Sequence, residues 1–298
     1  MPEFDPSALP HFDVLADAVA SRTLVPFVGA GVSRQASDRF LSWRGLLEEL
    51  IDYALRIATI TDDVAEELRE LLLRDRFMMA AEELKYRVPE DAYHRFLVER
   101  FQLEDIDPAP VHHAIFKLKS PLIITTNYDC MLEDSYSYAY RKGAWMHTYE
   151  DAPDVANFLP QAGAARHPLI WKIHGTIQNP AKVILSERDY RRLLYNQPGY
   201  REVLAAVFLT KVVLVLGFSF EDYELRTVLG EMRNALAYRS EPDFIFIPRS
   251  EVGQVVRHRF HEDYGVAVIP YDPGPDGSEM TAFLEALAGH APLATPPS

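Results

Sequence analysis

Leu24-Val25-Pro26-Phe27-Val28-Gly29-Ala30-Gly31-Val32-Ser33 reads as a short apolar strand that runs straight into a glycine-bearing turn. Glycine at positions 29 and 31 lets the backbone turn tightly and approach a pyrophosphate with no Cβ in the way. The amides of such a turn point at an anion. The match to the dinucleotide fingerprint G-x-G-x-x-G/A is incomplete, because Arg34 stands where the third glycine would allow close helix–strand packing. Taken alone, the motif is weak, and a structural turn with no ligand is the competing reading.

Outward from this turn, apolar runs alternate with helical periods. Phe12–Ser21 and Trp43–Ile57 carry helical spacing, the latter through Leu46, Leu47, Leu50, Ile51 and Ala54. From Ile60 to Phe101 the pattern stays helical, with Pro89 as a break, and predicts a helical insertion. Further strands are predicted at Leu122–Thr126, Leu169–Ile173, Val212–Leu216, Phe244–Ile247 and Val266–Ile269. Helices are predicted at Val111–Leu118, Met131–Tyr140, Ser186–Tyr195, Arg201–Phe208, Tyr223–Ala237 and Ser278–Ala288, with one more between the last two strands. Gly143–Arg166 is aperiodic and reads as surface loop, and the Pro-rich tail from about Ala291 as disordered. Strand–helix alternation predicts an α/β fold: a Rossmann-like parallel sheet with helices on both faces, in a single domain.

In a parallel sheet all carboxyl ends of the strands lie on one edge, where ligands bind. Four strand ends carry polar or glycine residues: Gly29–Ser33, Thr125-Thr126-Asn127-Tyr128-Asp129, His174-Gly175 and Gly217-Phe218-Ser219. Each has a local explanation: an Asx-turn at Asn127 or Asp129, a satisfied buried histidine, a plain turn glycine. Their shared position on one edge predicts that Gly29, Asn127, His174 and Gly217 converge.

Composition narrows the classes. The chain has 298 residues, a net charge of −14, and 48% hydrophobic and 25% charged residues, which suits a globular core. A field of that sign repels nucleic acid and anionic lipid. The basic clusters Arg188/Arg191/Arg192 and Arg257/His258/Arg259 read as solvated helix faces. The single cysteine, Cys130, excludes an intrachain disulfide and a four-cysteine zinc site. No signal peptide is expected from Met1–Pro10, and the apolar runs are too short to span a bilayer, so a cytoplasmic setting is expected.

The combined set Gly29–Ser33, Thr125–Asp129, His174-Gly175 and Gly217–Ser219 resembles the SIR2 superfamily over roughly Leu24 to Asp222. In order and spacing it is similar to bacterial SIR2-like NADases of anti-phage defence, the SIR2–HerA-like group, more than to sirtuin deacylases. Deacylases carry a four-cysteine zinc ribbon and a Pro-Asp-Phe-Arg element after the glycine turn. This chain has neither, and reads Asp38-Arg39-Phe40-Leu41-Ser42-Trp43 at the second place.

The resemblance implies that NAD is the substrate, that no metal is needed, and that the nicotinamide–ribose bond is cleaved to nicotinamide and ADP-ribose. It makes Asn127 and His174 the catalytic pair. Asn127 would orient water at C1′, and His174 would bind a ribose hydroxyl and act as general base, imidazole titrating close to neutral pH. Gly29, Ala30, Gly31 and Ser33 would take the pyrophosphate and nearby ribose. Thr126 and Asp129 belong to the same cofactor-binding set, Asp129 as a brace. Gly217, Ser219 and Asp222 would line the adenosine side, and Trp43 would wall the nicotinamide pocket or fill the core. The resemblance also implies a homo-oligomer and a separately encoded activating partner such as a HerA-type ATPase. Two further readings stay open: a non-catalytic NAD or ADP-ribose sensor, and an NAD-dependent deacylase. An ordinary dehydrogenase is disfavoured, since no second strand with an acidic end follows Ser33.

Overall fold

The computed structural model describes residues 4–218, 226, 228–230, 232, 242–273 and 277–292. Seven parallel strands form one sheet: β1 (Leu24–Val28), β2 (Leu122–Thr125), β3 (Trp145–Thr148), β4 (Leu169–Lys172), β5 (Val212–Leu216), β6 (Asp243–Pro248) and β7 (Val266–Tyr271). Their order is β3-β4-β2-β1-β5-β6-β7. The chain leaves β1 toward β2 on one side and returns to β5 on the other. The order therefore reverses between β1 and β5, which is where open α/β sheets form a ligand crevice.

The strands are apolar on both faces because both are covered. Val25, Phe27, Ile124, Trp171 and Val215 join one buried cluster, and Leu24, Val28, Ile123, Ile170 and Leu214 join the other. This is the period of two that a pleated strand imposes. Helices α1 (Phe12–Ala20), α7 (Pro110–Lys117), α8 (Met131–Tyr140) and Ser278–Ala288 cover the second face. Helices α9 (Ala152–Phe158), α10 (Glu187–Asn196) and α11 (Tyr200–Thr210) cover the first.

A third core lies among helices. The short α2 (Ala30–Ser33) follows the glycine turn, and α3 (Trp43–Arg56) then packs against α4 (Asp62–Leu73) and α5 (Phe77–Arg87). With α6 (Glu90–Phe101) they bury Leu46, Leu50, Leu68, Leu84 and Phe96. The predicted insertion is thus three helices. The first break, which periodicity did not show, falls at Asp75, whose φ is 55°; the second falls before Pro89.

Gly143–Arg166 departs from the expected loop. It contains β3, α9 and flanking 3-10 turns. β3 is an edge strand whose residues are exposed or half-buried, so it shows no apolar alternation in sequence. Trp145 is exposed and the Trp171 indole N–H donates to the Thr148 carbonyl (3.0 Å), tying this edge to β4. Most of the predicted helix Tyr223–Ala237, and residues 293–298 of the tail, lie outside the described residues. No described helix is long and apolar enough to cross a membrane.

Candidate active site

The glycine turn is built by backbone contact with the end of β5. The Gly29 amide donates to the Leu216 carbonyl (2.9 Å) and the Gly31 amide to the Gly217 carbonyl (2.8 Å). A Cβ on Gly31 would lie 2.7 Å from the Gly217 oxygen and 2.9 Å from its Cα. Gly217 itself has φ +71°, and a Cβ there would lie 2.6 Å from the Val32 nitrogen. Two loops distant in sequence therefore touch through their main chains, at the point where the strand order reverses.

The loop after β2 meets the same turn from the other side. The Thr125 hydroxyl donates to the Val28 carbonyl (2.9 Å) and accepts the Asn127 amide (3.0 Å). The Asn127 side chain then crosses to the turn, its Nδ2 donating to the Gly29 carbonyl (3.1 Å) and to Ser33 Oγ (3.0 Å). A carbonyl only accepts, so the NH₂ end must face Gly29. Both amide hydrogens are spent on the scaffold, and Oδ1 is left as an acceptor.

Asp129 stands behind this pair. Its Oδ1 accepts the Met131 amide (3.0 Å) and it is bonded by the Ser33 hydroxyl. Burial raises its pKa, against the Lys172 ammonium and these two donors, which act to lower it. Lys172 is wholly buried. Burial acts to lower its pKa, but Glu133, Cys130 and Asp129 prevail and the ammonium is retained. Cys130 is pushed up to about 12 by burial and then by Glu133, so its thiol is no nucleophile.

Two cavities open beside these loops and share Ala30, Ser42 and Trp43. The smaller, about 50 Å³, is lined by Ser33, Thr126, Asn127 and Asp129 on its polar side. Phe40, Leu46, Phe101 and Tyr128 form its apolar side. The larger, about 340 Å³, runs past Gly31 and Gly217 to Arg34, Arg44 and Glu251, and is of the size that holds small ligands. Trp43 lines both, and its ring lies 5.5 Å from that of Phe77, so it serves wall and core together.

His174 follows β4 on the same carboxyl edge, and the Ile173 amide donates to the Thr125 carbonyl (3.0 Å) beside it. Its imidazole is wholly buried, with Nδ1 3.4 Å from the Tyr190 hydroxyl, and it is not among the residues lining the two cavities. The structure thus joins Gly29, Ser33, Asn127 and Asp129 in one network and Gly31 with Gly217. It sets His174 on the same edge but beneath the surface.

A family model for the SIR2-like domain matches residues 121–269, half of the chain. The chain belongs to the SIR2-like family. It is 25% identical over 236 residues to a protein named NAD(+) hydrolase ThsA from Enterococcus faecium, an overlap of 77% of this chain and 44% of that protein. A second NAD(+) hydrolase ThsA, from Bacillus cereus (strain MSX-D12), is 23% identical over 76% of this chain and 43% of its own length. Defense-associated sirtuin 2 of Bacillus subtilis is 27% identical over 70% of this chain and 19% of its own length. The chain spans less than half the length of these relatives.

Within this SIR2-like site, Ser219 and Asp222 lie outside the described residues. Reading strand ends alone passed over Lys172, although a lysine inside the apolar run Leu169-Ile170-Trp171-Lys172-Ile173 signals a paired buried charge. It also passed over Arg44 and Glu251, which line the larger cavity. Glu251 follows β6 on the same carboxyl edge, so the rule that found Asn127 reaches it too.

Proposed function

We propose that this SIR2-like chain hydrolyses NAD at the nicotinamide–ribose bond, releasing nicotinamide and ADP-ribose, and that it does so in defence against phage. The observation that carries the reading is the Asn127 carboxamide, fixed by Gly29 and Ser33 on the wall of the smaller of two cavities that adjoin at Ala30, Ser42 and Trp43 beside the glycine turn. The names of the relatives support the reaction and its setting.

Cleavage passes through a transition state with positive charge at C1′. Water attacks that carbon, the C1′–N bond breaks, and its electron pair neutralises the nicotinamide ring. Asn127 Oδ1, an acceptor held still, would bind one hydrogen of the water and turn its lone pair toward C1′. The aromatic compartment around Trp43, Phe40 and Phe101 would take the nicotinamide ring. The larger cavity would take the adenosine side, with Gly29, Ala30, Gly31 and Ser33 against the pyrophosphate and Gly217 beyond. Arg34, exposed at the mouth and bridged to no carboxylate among the described residues, adds a positive charge there. His174 would bind a ribose hydroxyl and receive the water's proton. Because its ring is buried, this role requires its loop to move when substrate binds.

The chain would work in the cytoplasm as a homo-oligomer, switched on by a separately encoded partner such as a HerA-type ATPase. The test is to incubate the purified chain with NAD, alone and with its neighbour-encoded protein, and to identify products by chromatography. Nicotinamide and ADP-ribose are expected, and Asn127→Ala should cut their release at least about a hundredfold while still folding. NAD bound but intact under both conditions would replace the hydrolase with a sensor.

A further inference from the structure

We propose that Lys172 is a positioning residue: by gripping two main-chain carbonyls it fixes the 126–130 loop, and with it the Asn127 carboxamide. The proposal rests on the role given to Asn127 above.

Lys172 is the last residue of β4 and is wholly buried. An ammonium in that place is costly unless every hydrogen finds an acceptor. It has three hydrogens and three acceptors. They are the Tyr128 carbonyl (3.4 Å), the Asp129 carbonyl, and Glu133 Oε1 (2.8 Å). Two of these are consecutive carbonyls of the loop that begins with Thr126. The third belongs to the first turn of α8, which the loop enters. At the other end, Lys172 stands in register with Thr125, where β2 hands over to the loop.

One residue thus ties together the root of the loop, through its main chain, and the loop's middle and exit, through its side chain. Stability alone does not account for this choice. Replacing a buried ion pair with apolar residues of like volume is often neutral or stabilising. An apolar side chain would fill the space but would release the Asp129 carbonyl and leave the Tyr128 carbonyl to the Ile177 amide alone (2.8 Å). The other ties hold the loop at Thr126 and Asn127, through the Val28 carbonyl, the Thr125 hydroxyl, Gly29 and Ser33, and at Tyr128, whose hydroxyl donates to the Ile184 carbonyl (2.7 Å); the Asp129 carbonyl is gripped by Lys172.

The experiment compares Lys172→Met/Glu133→Leu, which removes both charges, with Glu133→Gln, which leaves the ammonium on the two carbonyls. Amide exchange at residues 126–130, ADP-ribose affinity and nicotinamide release are read on each. For the double variant we expect faster exchange, affinity within about threefold of the parent, and kcat down at least about tenfold. For Glu133→Gln we expect parental exchange and kcat within about threefold. A folded double variant with parental exchange and kcat overturns the proposal. So does Glu133→Gln if it loses kcat by about tenfold or more, because the role would then be Glu133's. If the double variant does not fold, Glu133→Gln decides by that same criterion. A parent chain that releases no nicotinamide either alone or with its neighbour-encoded protein would end the hydrolase reading, while exchange at 126–130 would still decide what Lys172 holds.

Discussion

Gly217→Ala should destabilise the chain by roughly 2–5 kcal/mol, and the figure follows from two separate costs. Gly217 sits at φ +71°, where a residue with a Cβ loses about 1–2 kcal/mol. The new Cβ would also lie 2.6 Å from the Val32 nitrogen, 2.9 Å from Val32 Cγ2 and 3.1 Å from the Gly29 oxygen. Two of those three atoms are main chain and cannot rotate away, so overpacking adds about 1–3 kcal/mol. Against a usual stability of about 5–15 kcal/mol the loss is large. Urea unfolding measures it as a drop in midpoint at constant slope. Two companions separate the terms. Gly31 lies in α2 without a positive φ, so Gly31→Ala carries only the steric cost, about 1–3 kcal/mol. Gly45 lies in α3, where the nearest atom to a new Cβ is 3.5 Å away, so Gly45→Ala should stabilise by about 0.5–1 kcal/mol. A Gly217→Ala chain with the parental midpoint would refute the claim that the β1 and β5 loops meet backbone to backbone.

Three more outcomes are expected. Ser33→Ala removes the link between Asn127 and Asp129, and should lower nicotinamide release about tenfold while costing only about 1 kcal/mol of stability; full release would show the carboxamide needs no such support. Asn127→Ala should abolish turnover without abolishing ADP-ribose binding, read by calorimetry beside product analysis. His112 is held down to about 4, chiefly by burial and further by His113, although the Ala109 carbonyl acts to raise it. The unfolded chain then binds the extra proton first, so stability present above pH 6.5 is lost as pH falls toward 4, by about 3 kcal/mol. His112→Leu should flatten that limb of a stability–pH curve.

The sheet was legible because strands covered on both faces are short apolar runs, as in Val212–Leu216, and their carboxyl ends carry the polar residues. β3 was not, because an edge strand half open to solvent has no pattern to read. The break at Asp75 was hidden because a left-handed residue leaves no mark in an apolar period. At the site, the meeting of Gly29 with Asn127 followed from topology alone. The depth of His174 did not, since burial depends on how α10 lays Tyr190 over it. Lys172 was passed over because two of its three partners are main-chain carbonyls, which no side-chain motif records.

The most direct measurement is a crystal structure of the chain soaked with ADP-ribose. The account predicts the pyrophosphate against residues 29–33, the adenosine in the larger cavity beyond Gly217, and the anomeric carbon facing a water bound to Asn127 Oδ1. ADP-ribose bound away from the carboxyl edge of the sheet, or with its anomeric carbon turned from Asn127, would contradict it.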